Sequence, residues 1–184
     1  MSTHLLSWTR SLCLLAALSG GANMAIAASP EKPAAVATDT HSVSLADGKL
    51  KFVLRGFEAQ PLNDQNGDTM YDNDKTNQTI IVTEGPLPAS AGNTSATALQ
   101  VAVDTLKEKQ HAASDNFRIT RERTTNVKGL RVYRLDATDD FKGTKLLMTS
   151  LMTLGDKNVT LIEVMSSAKD PAGHAAALKN ILGK

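Results

Sequence analysis

A run of polar and acidic residues between positions 63 and 74 groups the side chains best suited to cation chemistry. Asp64, Asn66 and Asp68 alternate, and Asp72 and Asp74 add two carboxylates, which are the oxygen donors that a hard cation such as Ca²⁺ prefers. The run is not an EF-hand, because its glycine stands at the fourth position and a lysine replaces the bidentate glutamate. Turn-forming Asn, Asp and Gly residues explain the same composition without a metal. We expect a turn, with these five residues as the metal-ligand candidates.

The histidines and serines form no recognised catalytic arrangement. His41, His111 and His174 are far apart in the sequence, whereas zinc needs at least three converging ligands. We expect all three to be solvated at helix or strand ends. The sequence contains no Gly-x-Ser-x-Gly elbow and no glycine-rich phosphate loop. It therefore predicts no catalytic residue, no cofactor and no enzymatic activity.

Basic residues concentrate in one stretch of the chain. They are Arg118, Arg121, Arg123, Lys128, Arg131, Arg134, Lys142 and Lys145. One interpretation is a patch that binds an anionic partner, such as lipid head groups or an acidic protein face. The other is a solvated edge hairpin, because Lys and Arg protect exposed strands from aggregation. Glu122, Asp136, Asp139 and Asp140 are interspersed, so we expect a largely neutralised edge.

The first 27 residues are typical of an export signal. Arg10 precedes an apolar run over residues 12–18, and Ala25 and Ala27 give the small-x-small pattern before Ala28. The apolar run is much shorter than the roughly 20 residues of a membrane-spanning helix. We therefore predict cleavage between Ala27 and Ala28 and no stable membrane anchor afterwards.

Cleavage would remove the only cysteine, Cys13, and the basic residue Arg10. Of the 20 basic and 19 acidic residues of the whole chain, 19 of each would remain. A balanced chain lacks the basic field of a nucleic-acid-binding protein. Without a thiol, the mature chain has no disulfide, thiolate metal site or cysteine nucleophile.

Periodicity predicts a single domain over residues 41–184, after a flexible lead-in at 28–40 that is rich in proline and small residues. Asp47-Gly48 lies between two alternating segments and predicts an opening β-hairpin. A helix is predicted over residues 95–110, with Leu99, Ala102, Val103 and Leu106 on one face at helical spacing. A second helix is predicted over residues 171–182, with Asp170 before its start and Ala175, Leu178 and Leu182 on its buried stripe.

The strands between the two helices define the fold class. Residues 145–154 and 159–165 are apolar on both faces, which predicts a central hairpin covered on both sides. We expect four of its residues to be deeply buried. They are Leu147, Leu151, Ile162 and Val164. The sequence predicts an α+β fold, with a mainly antiparallel sheet between helical layers.

The register of the hairpin over residues 117–139 decides the role of the arginines. A two-residue loop places Arg123 opposite Arg134, which is repulsive. A three-residue loop sets Glu122 opposite Arg134 and Ile119 opposite Ala137, and it puts Gly129 in a left-handed position. Because charge and apolar pattern agree in the second case, we predict the three-residue loop and a neutralised edge.

The order of elements resembles the DcrB family, within the PsbP-like α/β/α sandwiches. Residues 45–54, Leu-Ala-Asp-Gly-Lys-Leu-Lys-Phe-Val-Leu, look like that family's opening hairpin, and the strand at 80–82 and the closing strand at 159–162 occupy the expected order. The resemblance covers residues 41–182. It implies a bacterial envelope protein without a known catalytic centre.

We expect from this resemblance a non-enzymatic periplasmic protein that acts by contact with an envelope protein partner, whose identity and the chain's own oligomeric state stay open. The alternative is a carrier of an apolar or amphipathic small ligand, with a pocket between sheet and helix. Met148, Met152 and Met165 are the residues that would line such a pocket.

Overall fold

The protein is described by a computed structural model that covers residues 40–62, 68–87 and 95–183. The elements in chain order are β1 (Thr40–Leu45), β2 (Leu50–Arg55), β3 (Glu58–Pro61), β4 (Thr69–Asn73), β5 (Gln78–Pro86), α1 (Ser95–Ala113), β6 (Arg118–Val127), β7 (Leu130–Phe141), β8 (Thr144–Leu154), β9 (Asn158–Ser167) and α2 (Pro171–Leu182). The predicted signal peptide and its cleavage site lie outside the described residues, as do Asp64 and Asn66.

Seven strands form one antiparallel sheet in the order β3-β4-β5-β9-β8-β7-β6. The β8–β9 hairpin lies inside this sheet, as its apolar sequence predicts. Leu151, Ile162 and Val164 are buried as expected. Leu147 is only half-buried, so its prediction is wrong. It lies near the β7–β8 turn, opposite Thr138, outside the core cluster that covers this side of the sheet.

Helix α1 covers one side of the sheet, which we call the α1 side. Its apolar stripe is the predicted one, at the spacing of a helix face. The stripe consists of Leu99, Ala102, Val103 and Leu106, which are buried against Met152, Val159 and Leu161. The helix continues to Ala113, three residues beyond the predicted end.

The opposite side, the α2 side, is covered by two elements. Helix α2 has the predicted bounds, and Asp170 caps it by accepting a hydrogen bond from the Gly173 backbone N–H at 2.9 Å. The β1–β2 hairpin forms as predicted, but it is a separate two-stranded sheet. Its residues Leu50, Phe52 and Leu54 share one core with α2. The sheet therefore lies between one helix and a mixed helix-and-hairpin layer, which confirms the α+β class.

Two residues of α2 exchange the roles that periodicity assigned. Ala175 is exposed, and His174 and Ile181 are buried together with Leu178 and Leu182. The three predicted positions did not fix how α2 is rotated about its axis. Histidine was counted as polar, although the His174 ring lies on the buried face with Leu178. The prediction for Ala175 is therefore wrong.

The β6–β7 turn also differs from its prediction. Only Lys128 and Gly129 connect the strands, with φ of 51° and 80°, as in a type I′ turn whose twist matches that of the strands. Val127 consequently faces Leu130, and Arg123 faces Arg134. The three-residue loop and the Glu122–Arg134 pair are wrong, because local turn geometry outweighs the repulsion between the two arginines.

A β-bulge reconciles this register with the apolar pattern. The register shifts between Ile119 and Arg121, so Ile119 still faces Ala137, as predicted. Phe117, Leu135 and Ala137 are buried together on the α1 side. The extra residue therefore sits within the strand rather than in the loop.

The edges of the main sheet are β3 and β6. Strand β3 was not predicted, because all four of its residues are exposed and carry no alternation. Strand β5 contains the strand expected at residues 80–82 and is longer, from Gln78 to Pro86. No helix within the described ranges combines the length and apolarity needed to cross a membrane.

Candidate functional site

The two-residue turn sorts the charges of the β6–β7 hairpin by face. Because side chains alternate along a strand, the positions opposite Arg134, Asp136, Thr138 and Asp140 all lie on the α2 side. We define the basic face as the five cations that project there. They are Arg118, Arg121, Arg123, Arg134 and Lys145.

Two of the four acids expected to neutralise these cations lie on the other side of the sheet. Glu122 faces Leu135 and accepts a hydrogen bond from Lys107 of α1 at 2.5 Å. Asp139 accepts one from the Ser114 hydroxyl, directly after α1, at 2.7 Å. Asp136 and Asp140 remain on the α2 side, and the Asp140 carboxylate accepts the Gly143 backbone N–H at 2.9 Å. The predicted neutralised edge is therefore wrong for this face.

The central arginines differ in how they are held. Arg134 Nε donates to Asp136 Oδ1 at 2.7 Å, and the Arg134 side chain is only 17% exposed. Arg121 is exposed and Arg123 is half-buried, and neither forms a salt bridge with any residue that the structure describes. The face thus presents one fixed guanidinium and two that are available to a partner.

A chain of buried hydrogen bonds holds Asp136, the residue that binds Arg134. Asp136 Oδ1 also accepts from the Thr149 hydroxyl at 2.7 Å, and Thr149 Oγ1 lies 2.9 Å from His174 Nε2. His174 Nδ1 lies 3.0 Å from Ser166 Oγ. Since the single Thr149 proton goes to the carboxylate, His174 must donate through Nε2 and accept the Ser166 proton at Nδ1. The chain defines one tautomer of a neutral imidazole.

The position of His174 corrects the expectation that every histidine is solvated. The residue is 7% exposed at the start of α2. Burial lowers the pKa of His174, with Asp136 opposing this shift and Arg134 reinforcing it. Nothing in the sequence indicated this role, because the hydrogen-bond partners of the ring, Thr149 and Ser166, come from two other elements, β8 and β9.

The Ser166–His174 pair has the distance of a nucleophile and its base. Ser166 is 1% exposed, however, and its hydroxyl proton goes to a ring that lies beneath α2. A substrate has no access to an oxygen that is buried in this way. The geometry suits the positioning of Arg134 rather than chemistry at serine.

The other predicted histidines and acids do not converge. His41 Nε2 lies 2.9 Å from the Phe57 carbonyl oxygen, and His111 makes an edge contact with the Phe117 ring at 5.1 Å. Asp72 accepts the Thr79 hydroxyl at 2.6 Å, Asp68 is buried and Asp74 is exposed in a turn. Within residues 40–62, 68–87 and 95–183, no three His, Cys, Asp or Glu side chains are placed to hold a metal.

Two polar clusters on the α1 side were not predicted. Lys107 and the Tyr133 hydroxyl both donate to Glu122 Oε2, and burial together with this hydrogen bond raises the pKa of Tyr133 to about 12. The second cluster lies under α1.

In that second cluster, Gln110 Nε2 donates to Glu163 Oε1 at 2.8 Å and to Ser150 Oγ at 3.1 Å. Burial raises the pKa of the Glu163 carboxyl, and the hydrogen bonds from Gln110 and Ser150 oppose that shift. The sequence did not predict this cluster, because the contact depends on which face of α1 packs against which face of β8 and β9.

The methionines of the alternative carrier hypothesis serve as core residues. Met152 lies in the cluster with the stripe of α1, and Met148 and Met165 pack with Phe117. All three are at most 9% exposed.

The fold is that of the PsbP-like proteins. The solution structure of cyanobacterial PsbP (CyanoP) from Synechocystis sp. PCC 6803 matches with a TM-score of 0.58 and 8% identity over 84% of this chain and 95% of that one. LpqN of Mycobacterium tuberculosis, involved in cell envelope biogenesis, matches with a TM-score of 0.50 and 13% identity over 80% and 90%.

PA94 of Pseudomonas aeruginosa, a protein of unknown function, aligns with a TM-score of 0.46 and 13% identity over 76% and 91%. No protein-family model and no curated protein matches the sequence. At these identities the similarity concerns the fold, and function must be argued from the site.

Proposed function

We propose that this chain is an exported, non-enzymatic, DcrB-like protein that acts in the periplasm by contact with an envelope protein. The observation that carries the proposal is the basic face, on which Arg121 and Arg123 have no salt bridge among the described residues. Like charges directly opposite each other destabilise a sheet. A partner that supplies the missing anions would relieve this repulsion.

Three further observations support a contact role. The nucleophile–base pair is buried, so the polar residues beneath α2 serve to position Arg134. The first 27 residues have the pattern of an export signal. One PsbP-like neighbour, LpqN, is involved in cell envelope biogenesis.

Affinity capture from the chain's own envelope tests this function. The bait is the mature chain, its basic-face variant Arg121→Glu/Arg123→Glu, and Arg131→Glu as the matched control. Arg131 is an exposed arginine of the same hairpin on the α1 side. We expect a protein that is retained by the mature chain and the control and is reduced with the basic-face variant.

The carrier alternative is decided in the same experiment. Mass spectrometry of small molecules released from the bait detects a bound apolar ligand. A reproducible small molecule in the absence of any specific protein would overturn the contact proposal.

A further inference from the structure

We infer that the basic face binds an acidic, extended protein segment that carries carboxylates at alternate positions. The inference rests on the proposed contact function and specifies the chemistry of the partner. Carboxylates are indicated because four of the five cations are arginines, whose planar forks bind a carboxylate through two parallel hydrogen bonds.

The spacing of the arginines favours an extended partner. Arg121 and Arg123 are two residues apart on one face of β6, which corresponds to about 7 Å along a strand. An extended peptide repeats its own side chains at the same interval. Acidic residues at positions i and i+2 of a partner therefore match the two arginines without loss of register.

The elements that project from the α2 side of the sheet favour a narrow partner over a membrane surface. Helix α2 packs on β9 and β2, and the β1–β2 hairpin covers the end of the sheet at Val127, Leu130 and Val132. A helix is about 10 Å across and stacked sheets lie about 10 Å apart, so both elements rise well above the strands. A flat bilayer would touch them before it reached Arg134, whose side chain is only 17% exposed. A peptide can lie beside them along β6 and β7.

The buried hydrogen bonds that link Ser166 to Asp136 hold one arginine of the basic face, Arg134, in a fixed orientation. Asp136 Oδ1 holds Nε of Arg134 and is itself held by Thr149. Only Nε of Arg134 is used in the salt bridge, so its terminal nitrogens can face the partner. A preorganised donor lowers the ordering cost of binding.

Binding of defined probes tests the inference directly. The probes are a labelled eight-residue peptide with glutamate at every second position and the same peptide with glutamine at those positions. The proteins are the mature chain, Arg121→Ala/Arg123→Ala and the control Arg131→Ala, compared by fluorescence anisotropy. We expect the mature chain and the control to bind the glutamate peptide alike.

The double variant should bind the glutamate peptide about tenfold more weakly or worse, because two charge-assisted contacts are lost. Added salt should weaken binding by the mature chain. Equal affinity for the glutamate and glutamine peptides, or an equal loss in Arg131→Ala, would overturn the inference.

A lipid arm separates the other source of anions. Vesicles of zwitterionic phospholipid with and without an anionic phospholipid are sedimented with each protein. Retention on anionic vesicles that depends on Arg121 and Arg123, without binding of the glutamate peptide, would overturn the acidic segment in favour of a lipid surface.

The two proposals fail in different ways. A protein partner captured equally by the mature chain and Arg121→Glu/Arg123→Glu would refute the acidic segment and leave contact through another surface. Absence of any protein partner would refute the contact function, even where the glutamate peptide binds.

Discussion

At the scale of single residues, one carboxylate connects the interior to the surface. Asp136 receives a hydrogen bond from Thr149 on the buried side and from Arg134 on the exposed side. Thr149 in turn contacts His174, so the protonation state of a buried ring bears on the orientation of a surface guanidinium. The α1 side has a similar arrangement, in which Gln110 joins Ser150 to Glu163.

Protonation of His174 should make the fold less stable in acid. Burial lowers its pKa in the folded state, so the unfolded chain binds the proton more readily. The stability that the neutral ring contributes is fully present above the histidine pKa of the unfolded chain, about 6.5. It is lost as pH falls below that pKa, by at most about 1.4 kcal/mol per pH unit. Chemical denaturation of the mature chain and His174→Gln from pH 7.5 to 5 measures the effect.

The variant should lack this part of the pH dependence, and His111→Gln, an exposed histidine of α1, should retain it. Identical pH profiles for the mature chain and His174→Gln would show that the ring takes up its proton in the folded state as easily as in the unfolded one.

Glu163→Gln should stabilise the protein at neutral pH. Burial raises the pKa of Glu163 in the folded protein. The stability that its protonated carboxyl contributes is therefore fully present below the pKa of the unfolded chain and is lost as pH rises through the pKa of the folded protein. The buried Gln110 Oε1 has no hydrogen-bond partner among the residues that the structure describes, and a neutral amide at position 163 supplies a donor. Denaturation at pH 7 and pH 4 should show a gain at pH 7 that shrinks at pH 4.

Glu58→Gln, on the exposed edge strand β3, is the control and should change stability by no more than about 0.5 kcal/mol. A loss of stability in Glu163→Gln at pH 7 would mean that the charged carboxylate is needed under α1.

At the scale of elements, sequence patterns predicted those strands and helices whose burial follows one period. The stripe of α1 and the capped start of α2 came from spacing and from Asp170. The β6–β7 register was beyond reach because two features compensate each other. The tight turn moves Arg123 opposite Arg134, and the bulge after Ile119 returns the apolar residues to one face. With only one of the two features, the apolar residues of β6 and β7 would not lie on the same face of the sheet.

Gly129→Ala should destabilise the hairpin through the turn. Gly129 has a φ of 80°, and no atom of the described part of the chain lies within 4 Å of an added Cβ, so the cost is conformational rather than steric contact with neighbours. A left-handed conformation costs a non-glycine residue about 1–2 kcal/mol, which a denaturation midpoint measures.

Lys128→Asn is the matched change, since Asn tolerates the left-handed region that Lys128 occupies at a φ of 51°. It also removes an exposed hydrogen bond from Lys128 Nζ to the Lys51 carbonyl at 2.8 Å, so stability should change by no more than about 0.5 kcal/mol. An unaffected Gly129→Ala variant would contradict the two-residue turn.

At the scale of the whole molecule, balanced composition conceals a segregated charge distribution. The chain has 20 basic and 19 acidic residues, yet Glu122 and Asp139 lie on the α1 side of the hairpin that carries the basic face. Composition correctly described the total and could not assign faces, because the assignment depends on register. For the same reason the sequence identified the arginines but not the chain of residues that holds Arg134.

Export should leave a mature chain that begins at Ala28, which removes Arg10 and makes the acidic and basic residues equal in number. Peptidases accept small residues at the cleavage position and two before it, here Ala27 and Ala25, and not a bulky one. The intact mass of the exported protein should therefore correspond to residues 28–184. Ala27→Phe should accumulate uncleaved chain, whereas Ile26→Phe, at the unrestricted position between them, should be processed normally. Exported protein that retains Met1 would contradict this prediction, and with it the absence of a membrane anchor.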